Sequence, residues 1–309
     1  MLIKDPPLEL ADGVWMLGTN EYPVFLITDA NEGAIFEGGV GADGPIVKEQ
    51  LADLGIAADI VKQVIVTHAH PDHVMAIPAF RAMLPAVKVC ASEIAAETLG
   101  IEKAIRFFNK IDGMLTEALI DAGSITEKHR PKPMKESRIA VDRILADGDT
   151  VTVGGRKFDV LETPGHSEGG LSFHEPEAGL AIISDATGYY IPESDYWWPG
   201  YFTDYGAYME SMRRLAELGV EVLCLSHNAV IKGCDEVRAY FDNAIAATAA
   251  YHERIVAEIK AGKSPEQLAA QFGAEAHEKI PLLPMDFFQK NCALMVIQSM
   301  KYVQENDPQ

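Results

Sequence analysis

The sequence predicts an α/β protein, an αβ/βα body followed by an all-helical C-terminal segment, and three observations carry that prediction. Short β-branched runs alternate with helical stretches before Cys234, a histidine cluster follows directly on a buried apolar run, and after Cys234 the periodicity is helical alone. The 309 residues are 48% hydrophobic and 23% charged, an ordinary globular balance that excludes disorder and fibrous repeats. Length allows two domains, and the change of character divides the chain into a body of residues 1–234 and a helical cap or dimerisation segment of residues 235–309.

Taken in order, Val14–Leu17, Val24–Thr28 and Ala34–Phe36 read as strands broken by Gly, Asn and Asp. A helix is expected over 44–54, then a buried strand at Val64-Ile65-Val66, and helix over most of 73–84 and 91–122. Strands follow at 138–145, 150–153, 157–162, 170–174 and 180–184, the first two separated by a turn at Asp147-Gly148-Asp149. Tyr205, Tyr208, Met212 and Leu215 fall at helical spacing within 204–218, and Val222-Leu223-Cys224 is expected to be the last strand. Val237, Tyr240, Phe241, Ile245, Thr248, His252, Ile255 and Ile259 then trace one face of a long helix ending near Gly262. Ser264-Pro265-Glu266-Gln267 is a capping box with proline at the first helical position, and a final helix is expected over 285–303.

Lys and Arg number 26 against 46 Asp and Glu, and the net charge of −20 repels phosphate backbones, so nucleic acid is not an expected partner. Cys90, Cys224, Cys234 and Cys292 form no CxxC pair, the usage of a reducing compartment. No apolar run reaches the roughly 18 residues of a membrane span, and Met1–Pro7 lacks a signal-peptide core. A cytoplasmic protein with no membrane partner is expected.

The densest chemistry lies in Thr67-His68-Ala69-His70-Pro71-Asp72-His73, on the loop after the buried strand. Imidazole and carboxylate crowded into one volume suit zinc, iron or manganese. Further donors stand at strand ends: His166 in Thr163-Pro164-Gly165-His166-Ser167, Asp185 after Ser184, and His227 between Ser226 and Asn228. Any one of these alone reads as structural; in series with the His-x-His-x-Asp-His loop they read as ligands.

These residues resemble the metallo-β-lactamase superfamily over residues 14–234. The resemblance implies a four-layer αβ/βα sandwich with two divalent metal ions, zinc or iron with manganese as an option, at the sheet edges. Carried over by position, His68, His70 and His166 would bind one ion, Asp72, His73 and His227 the other, and Asp185 would bridge them. It further implies a bridging hydroxide as nucleophile, with Asp72 orienting it or moving its proton. Where the family usually has glycine, this chain has Ser184, Ser226 and Asn228.

Within the superfamily, Val24-Phe25-Leu26, Glu37-Gly38-Gly39, Gly165-His166-Ser167 and Ala207–Ser211 resemble the quinolone-signal response type, aminobenzoylacetyl-CoA thioesterases. An acyl thioester substrate is the reading this implies. The alternatives are a lactonase or glyoxalase-II-type hydrolase, a mono-iron persulfide dioxygenase, and a regulatory protein that keeps the site but acts through protein contacts. Arg130, Lys132 and Lys135, in the densest basic segment, are expected to hold an anionic carrier. Trp197, Trp198, Phe287 and Phe288 are expected to line an apolar pocket, and Tyr189 and Tyr190 to hydrogen-bond a developing oxyanion. The small-residue run Ala244–Ala250 suggests close packing in a homodimer.

Overall fold

The computed structural model describes residues 1–29 and 31–306. The chain opens with β1 (Leu2–Ile3), β2 (Leu8–Ala11), β3 (Val14–Gly18), β4 (Pro23–Thr28) and β5 (Gly33–Phe36). Helix α1 (Asp43–Asp53), β6 (Val61–Ile65), α2 (Ile77–Met83), β7 (Lys88–Ala91), α3 (Glu93–Leu99) and α4 (Glu102–Asp121) follow. Next come β8 (Arg143–Ile144), β9 (Thr150–Val153), β10 (Arg156–Glu162), β11 (Leu171–Glu175), β12 (Leu180–Ile182) and a hairpin of β13 (Tyr189–Ile191) and β14 (Tyr196–Trp198). Helix α5 (Tyr205–Ala216), β15 (Val222–Cys224), β16 (Val230–Lys232) and helices α6 (Cys234–Lys260), α7 (Pro265–Lys279) and α8 (Met285–Asn306) complete it.

Two seven-stranded sheets form the middle of a four-layer sandwich, ordered β2-β3-β4-β5-β6-β7-β8 and β1-β16-β15-β12-β11-β10-β9. The period-2 alternation of each strand decides which layer its side chains join. In β4, Phe25 and Ile27 face the other sheet and pack with Phe158, Phe173 and Val160. Val24 and Leu26 point the opposite way, onto Val47 and Leu51 of α1 and Phe80 of α2. On the second sheet Ala181 and Leu223 pack outward against Leu215 of α5 and Phe241 of α6. The sandwich with added C-terminal helices is the fold class the sequence predicts.

Some elements differ from expectation. The strand expected over 138–145 shrinks to Arg143–Ile144, because Ile139 instead hydrogen-bonds Leu99 and the Asp142 carboxylate accepts from the Val89 amide and Arg81. The strand over 180–184 stops at Ile182, since Ser184 adopts a left-handed backbone (φ 50°) that turns the chain out of the sheet. Val222–Cys224 is not the last strand; β16 pairs antiparallel beside it.

The helical tail shares one apolar cluster with the body: Phe272 of α7 and Phe288 and Met295 of α8 join Leu115 of α4 and Tyr201, Tyr205 and Tyr208. Ala244 and Thr248, in the small-residue run, are buried within the chain itself. At Gly273 the α7 and α8 backbones approach so closely that a Cβ would lie 2.6 Å from the Gln289 Cα. The capping box at Ser264 and Gln267 forms as the sequence indicates.

Phe272 is 1% exposed, packs its ring 4.7 Å from Tyr251 and carries Arg254 above it. Phe272→Ala should therefore cost about 3–5 kcal/mol, read from the urea midpoint at unchanged slope. A cost below about 1 kcal/mol would mean that the site collapses around the smaller side chain.

Candidate metal centre

Four strand ends deliver the polar residues to one edge of the sandwich. After β6, Thr67 and His68 are buried, and a 3-10 turn over Pro71–His73 swings His73 back beneath them. After β10, Gly165 takes φ 118° with its α-carbon pressed against the Tyr208 backbone; a Cβ there would sit 2.4 Å away, so only glycine lets His166 enter. Asp185 follows the left-handed Ser184 after β12, and His227 follows β15, just before Asn228 at φ 66°.

Seven side chains converge in two groups, His68, His70, His166 and Asp185, and Asp72, His73 and His227. His70 Nδ1 lies 2.9 Å from both His68 Nε2 and His166 Nε2. Asp185 sits between the groups: Oδ2 is 3.1 Å from His166 Nε2 and 3.4 Å from His73 Nε2, while Oδ1 is 3.1 Å from His227 Nε2. Asp72 Oδ2 is 3.5 Å from His73 Nε2 and 3.7 Å from His227 Nε2.

The far nitrogens of four of these histidines are held, which fixes ring and tautomer. His166 Nδ1 donates to the Gly200 carbonyl and His227 Nδ1 to the Glu21 carbonyl, each at 2.8 Å. The other two end on one carboxylate. His73 Nδ1 donates to Glu37 Oε2 at 2.9 Å. His68 Nδ1 donates to Ser184 Oγ, Ser184 to Thr67 Oγ1, and Thr67 to Glu37, at 2.9, 2.7 and 2.9 Å. Glu37 is 2% exposed, so this chain is a dry one.

Electrostatics match the geometry. Burial, then the neighbouring imidazoles, pushes His68 well below its ordinary value, and burial with His166 takes His70 down to about 3. Burial lowers His73 and His227 too, but Glu37 and Asp72 around the first, and Asp185 beside the second, outweigh it and raise both. Burial would raise Asp72, yet His73 and His227 hold it at about 2; the same contest, won by His227 and His73, keeps Asp185 well below the carboxylate range.

The residues fit a cation. His70 Nδ1 stands 2.9 Å from two other imidazole nitrogens, His68 Nε2 and His166 Nε2, and the three cannot all be satisfied by one another's protons. His73 Nε2 and Asp185 Oδ1 are buried without a hydrogen-bond partner. Imidazole nitrogens with carboxylate oxygens are the donor set of zinc, iron and manganese.

The ligand cluster floors a cavity of about 500 Å³. Tyr189, Trp198, Phe287 and Phe288 line it. Tyr190 does not: its hydroxyl donates to Asp195 and its ring stacks on Trp197, which in turn packs towards Tyr240, so both are committed to the hairpin. Arg130, Lys132 and Lys135 are exposed and outside the lining of this cavity, and Arg130 is held by Glu117 and Glu127. Unforeseen lining comes from Phe107, Phe108, Ile111 and Leu115 of α4, whose helical spacing is visible in the sequence, and from Tyr22, which carries no such signal. Glu37 likewise had only its Gly38-Gly39 context to mark it.

The family model for the Metallo-beta-lactamase superfamily matches residues 18–227. The chain is 30% identical over 162 residues to a hydroxyacylglutathione hydrolase of Cereibacter sphaeroides, a stretch covering 52% of this chain and 46% of that one. It spans about half the length of such curated relatives. A shorter match, 44% over 55 residues, is to the hydroxyacylglutathione hydrolase of Chelativorans sp., covering 17% of this chain and 22% of that one. A metallo-beta-lactamase family protein from Thermus thermophilus shares the fold with a TM-score of 0.66 at 22% identity, over 96% of this chain and 95% of that one. A subclass B3 metallo-beta-lactamase of Bradyrhizobium japonicum superposes at 0.57 with 18% identity, over 84% and 97%.

Raised folded-state values at His73 and His227 make their protonated forms stabilising below the ordinary 6.5, a contribution lost as pH rises through the raised values. Cation uptake requires both rings neutral, so affinity should climb through that same window and binding should release protons. Calorimetry in two buffers of different ionisation enthalpy measures the release; none would contradict the electrostatics. Glu37→Gln, which leaves His73 or Thr67 without a charged acceptor, should weaken zinc binding about 10- to 100-fold in a chelator competition, and unchanged affinity would discount the buried carboxylate.

Proposed function

The chain belongs to the Metallo-beta-lactamase superfamily, and on that premise we propose that it is a metal-dependent hydrolase of a thioester with an apolar acyl group. The observation that carries the reading is the placement of the ligand cluster at the floor of a cavity walled by hydrocarbon: Phe108, Ile111, Leu115, Trp198, Leu283 and Phe288 face the space above Asp72 and Asp185. Burying an acyl chain against such walls contributes about 25 cal/mol for each Å² removed from water.

His68, His70 and His166 with Asp185 would hold one ion, and Asp72, His73 and His227 with Asp185 the second. Two divalent ions bound there would supply a water of lowered pKa and polarise a carbonyl. The protein's own residues do the rest. The ionised Asp72, whose side chain is 23% exposed, accepts a hydrogen bond from the attacking water and orients it. Tyr189, with its ring 4.7 Å from that of His227, presents a phenol to the same space. Among the described residues no lysine, arginine or cysteine lines the cavity, and the Thr203 hydroxyl there donates to the Gly165 carbonyl; water is the nucleophile in this proposal.

A thioester suits this wall because thiolate leaves without a strong general acid. The two carboxylates at the floor are held ionised, and burial pushes the Tyr189 phenol upward, so neither is a ready proton source for a poor leaving group. The relatives named for hydroxyacylglutathione hydrolysis and the quinolone-signal thioesterase resemblance support the same bond class.

In a series of straight-chain acyl thioesters of one thiol, kcat/KM should rise about three- to four-fold for each methylene until the cavity fills, the yield of about 0.8 kcal/mol per buried group. A flat series would remove the cavity from substrate binding. Faster turnover of lactones than of any thioester would favour the lactonase reading, and oxidation of a glutathione persulfide with one bound iron would favour the dioxygenase.

A further inference from the structure

Tyr22 belongs to no motif of the sequence, yet it stands on the cavity wall beside Asp72, Asp185 and His227. Its place is built by the turn between β3 and β4. The Thr19 hydroxyl accepts from the Tyr22 amide, the Glu21 carbonyl accepts from His227 Nδ1 at 2.8 Å, and the Asn20 carbonyl accepts from the Asn228 amide at 2.7 Å. The turn is thus clasped to the loop that carries His227. The Tyr22 ring meets the His227 ring edge-on, with centroids 5.3 Å apart.

Tyr22 is 5% exposed as a residue; its hydroxyl makes no hydrogen bond to another described residue and is not among the enclosed unpartnered polar atoms, so it opens onto the cavity that the residue lines. A buried phenol ordinarily finds a protein partner, as Tyr201 does at Ser299 and Tyr240 at Thr187. Packing alone would be served equally by phenylalanine, and a hydroxyl that no protein group holds is free to donate to whatever enters the cavity.

Building on the hydrolytic reading above, we infer that Tyr22 is a further catalytic residue, whose hydroxyl donates a hydrogen bond to the substrate's carbonyl oxygen as that oxygen gains charge. Water adds through its oxygen to the carbonyl carbon while the π pair moves onto the carbonyl oxygen. The pair then restores the double bond, the carbon–sulfur bond breaks, and sulfur leaves with its electrons as thiolate. One water proton ends on the thiol and the other in solvent, leaving a carboxylate. Tyr22 keeps its proton throughout; a preorganised donor at the developing charge needs no reorganisation when the charge appears.

The test is Tyr22→Phe, which retains the ring against His227. Metal content and melting temperature should match the wild type, and kcat should fall roughly 100-fold, the cost of one lost oxyanion donor, with KM within about two-fold. A thioether trifluoromethyl ketone, whose hydrate mimics the tetrahedral species, should bind the variant more weakly by the same factor as kcat/KM falls, and this is read without turnover. Unchanged kcat and unchanged ketone affinity would overturn the assignment, as would a variant that loses metal or melts early, which would make Tyr22 structural. Failure of the thioester reading shows in the wild type instead: if that protein hydrolyses lactones and no thioester, the same variant is assayed on the lactone, where the carbonyl oxygen gains the same charge and the same loss is expected.

Discussion

A single buried carboxylate, Glu37, ties both halves of the ligand cluster together. It accepts directly from His73 and, through Thr67 and Ser184, is the terminus of a hydrogen-bond chain that begins at His68. Those contacts place the Nδ1 hydrogen of each ring on an acceptor, so Nε2 is the atom each neutral ring offers to a cation, and both are aimed at the same space. Since Glu37 lies at the end of β5 and the other members at the ends of β6 and β12, the relay also locks the two sheets in register at the edge where the cluster forms. Losing one buried charged partner leaves the others unpaired in a low dielectric, so the network stands or falls as a unit.

Backbone strain is concentrated in the same place. Glu37, Ser184 and Asn228 hold φ of 75°, 50° and 66°, a region where a non-glycine residue costs on the order of 1–3 kcal/mol. At 184 and 228 the superfamily resemblance implies glycine, which would relieve the strain. The side chains here return something glycine lacks: Ser184 is a link of the relay, and the Asn228 amide donates to the Tyr190 carbonyl at 2.7 Å, pinning the hairpin that carries Tyr189 to the His227 loop. Local stability is exchanged for a rigid first contact between cavity and ligands.

How far the sequence can be read follows from whether a residue's role is local. Strand-end histidines were legible because an apolar β-branched run, then a polar loop, is a local pattern, and the tail helices because apolar spacing and the Ser264 capping box are local too. The hairpin of β13 and β14 was hidden: Tyr189–Ile191 and Tyr196–Trp198 show no alternation, only aromatic mass. Tyr190 and Trp197 looked like cavity lining and instead stack on each other. The basic segment stands outside the cavity, and with 46 acidic residues against 26 basic ones an exposed arginine such as Arg130 readily finds carboxylates within the chain itself. Glu37 and Tyr22 act through partners far away in the chain, and no spacing announces that.

The central claim is that Asp185 joins two groups of ligands into one two-ion centre, since its oxygens reach members of both groups at 3.1–3.4 Å. The most direct measurement is the number of metal equivalents per chain, by elemental analysis after titration and removal of excess ion, in the wild type and in Asp185→Asn. Two equivalents in the wild type, falling to one or none when the bridging charge is removed, is the result this account predicts. One tightly held ion with no second site filled, or two ions retained by the variant, would contradict it.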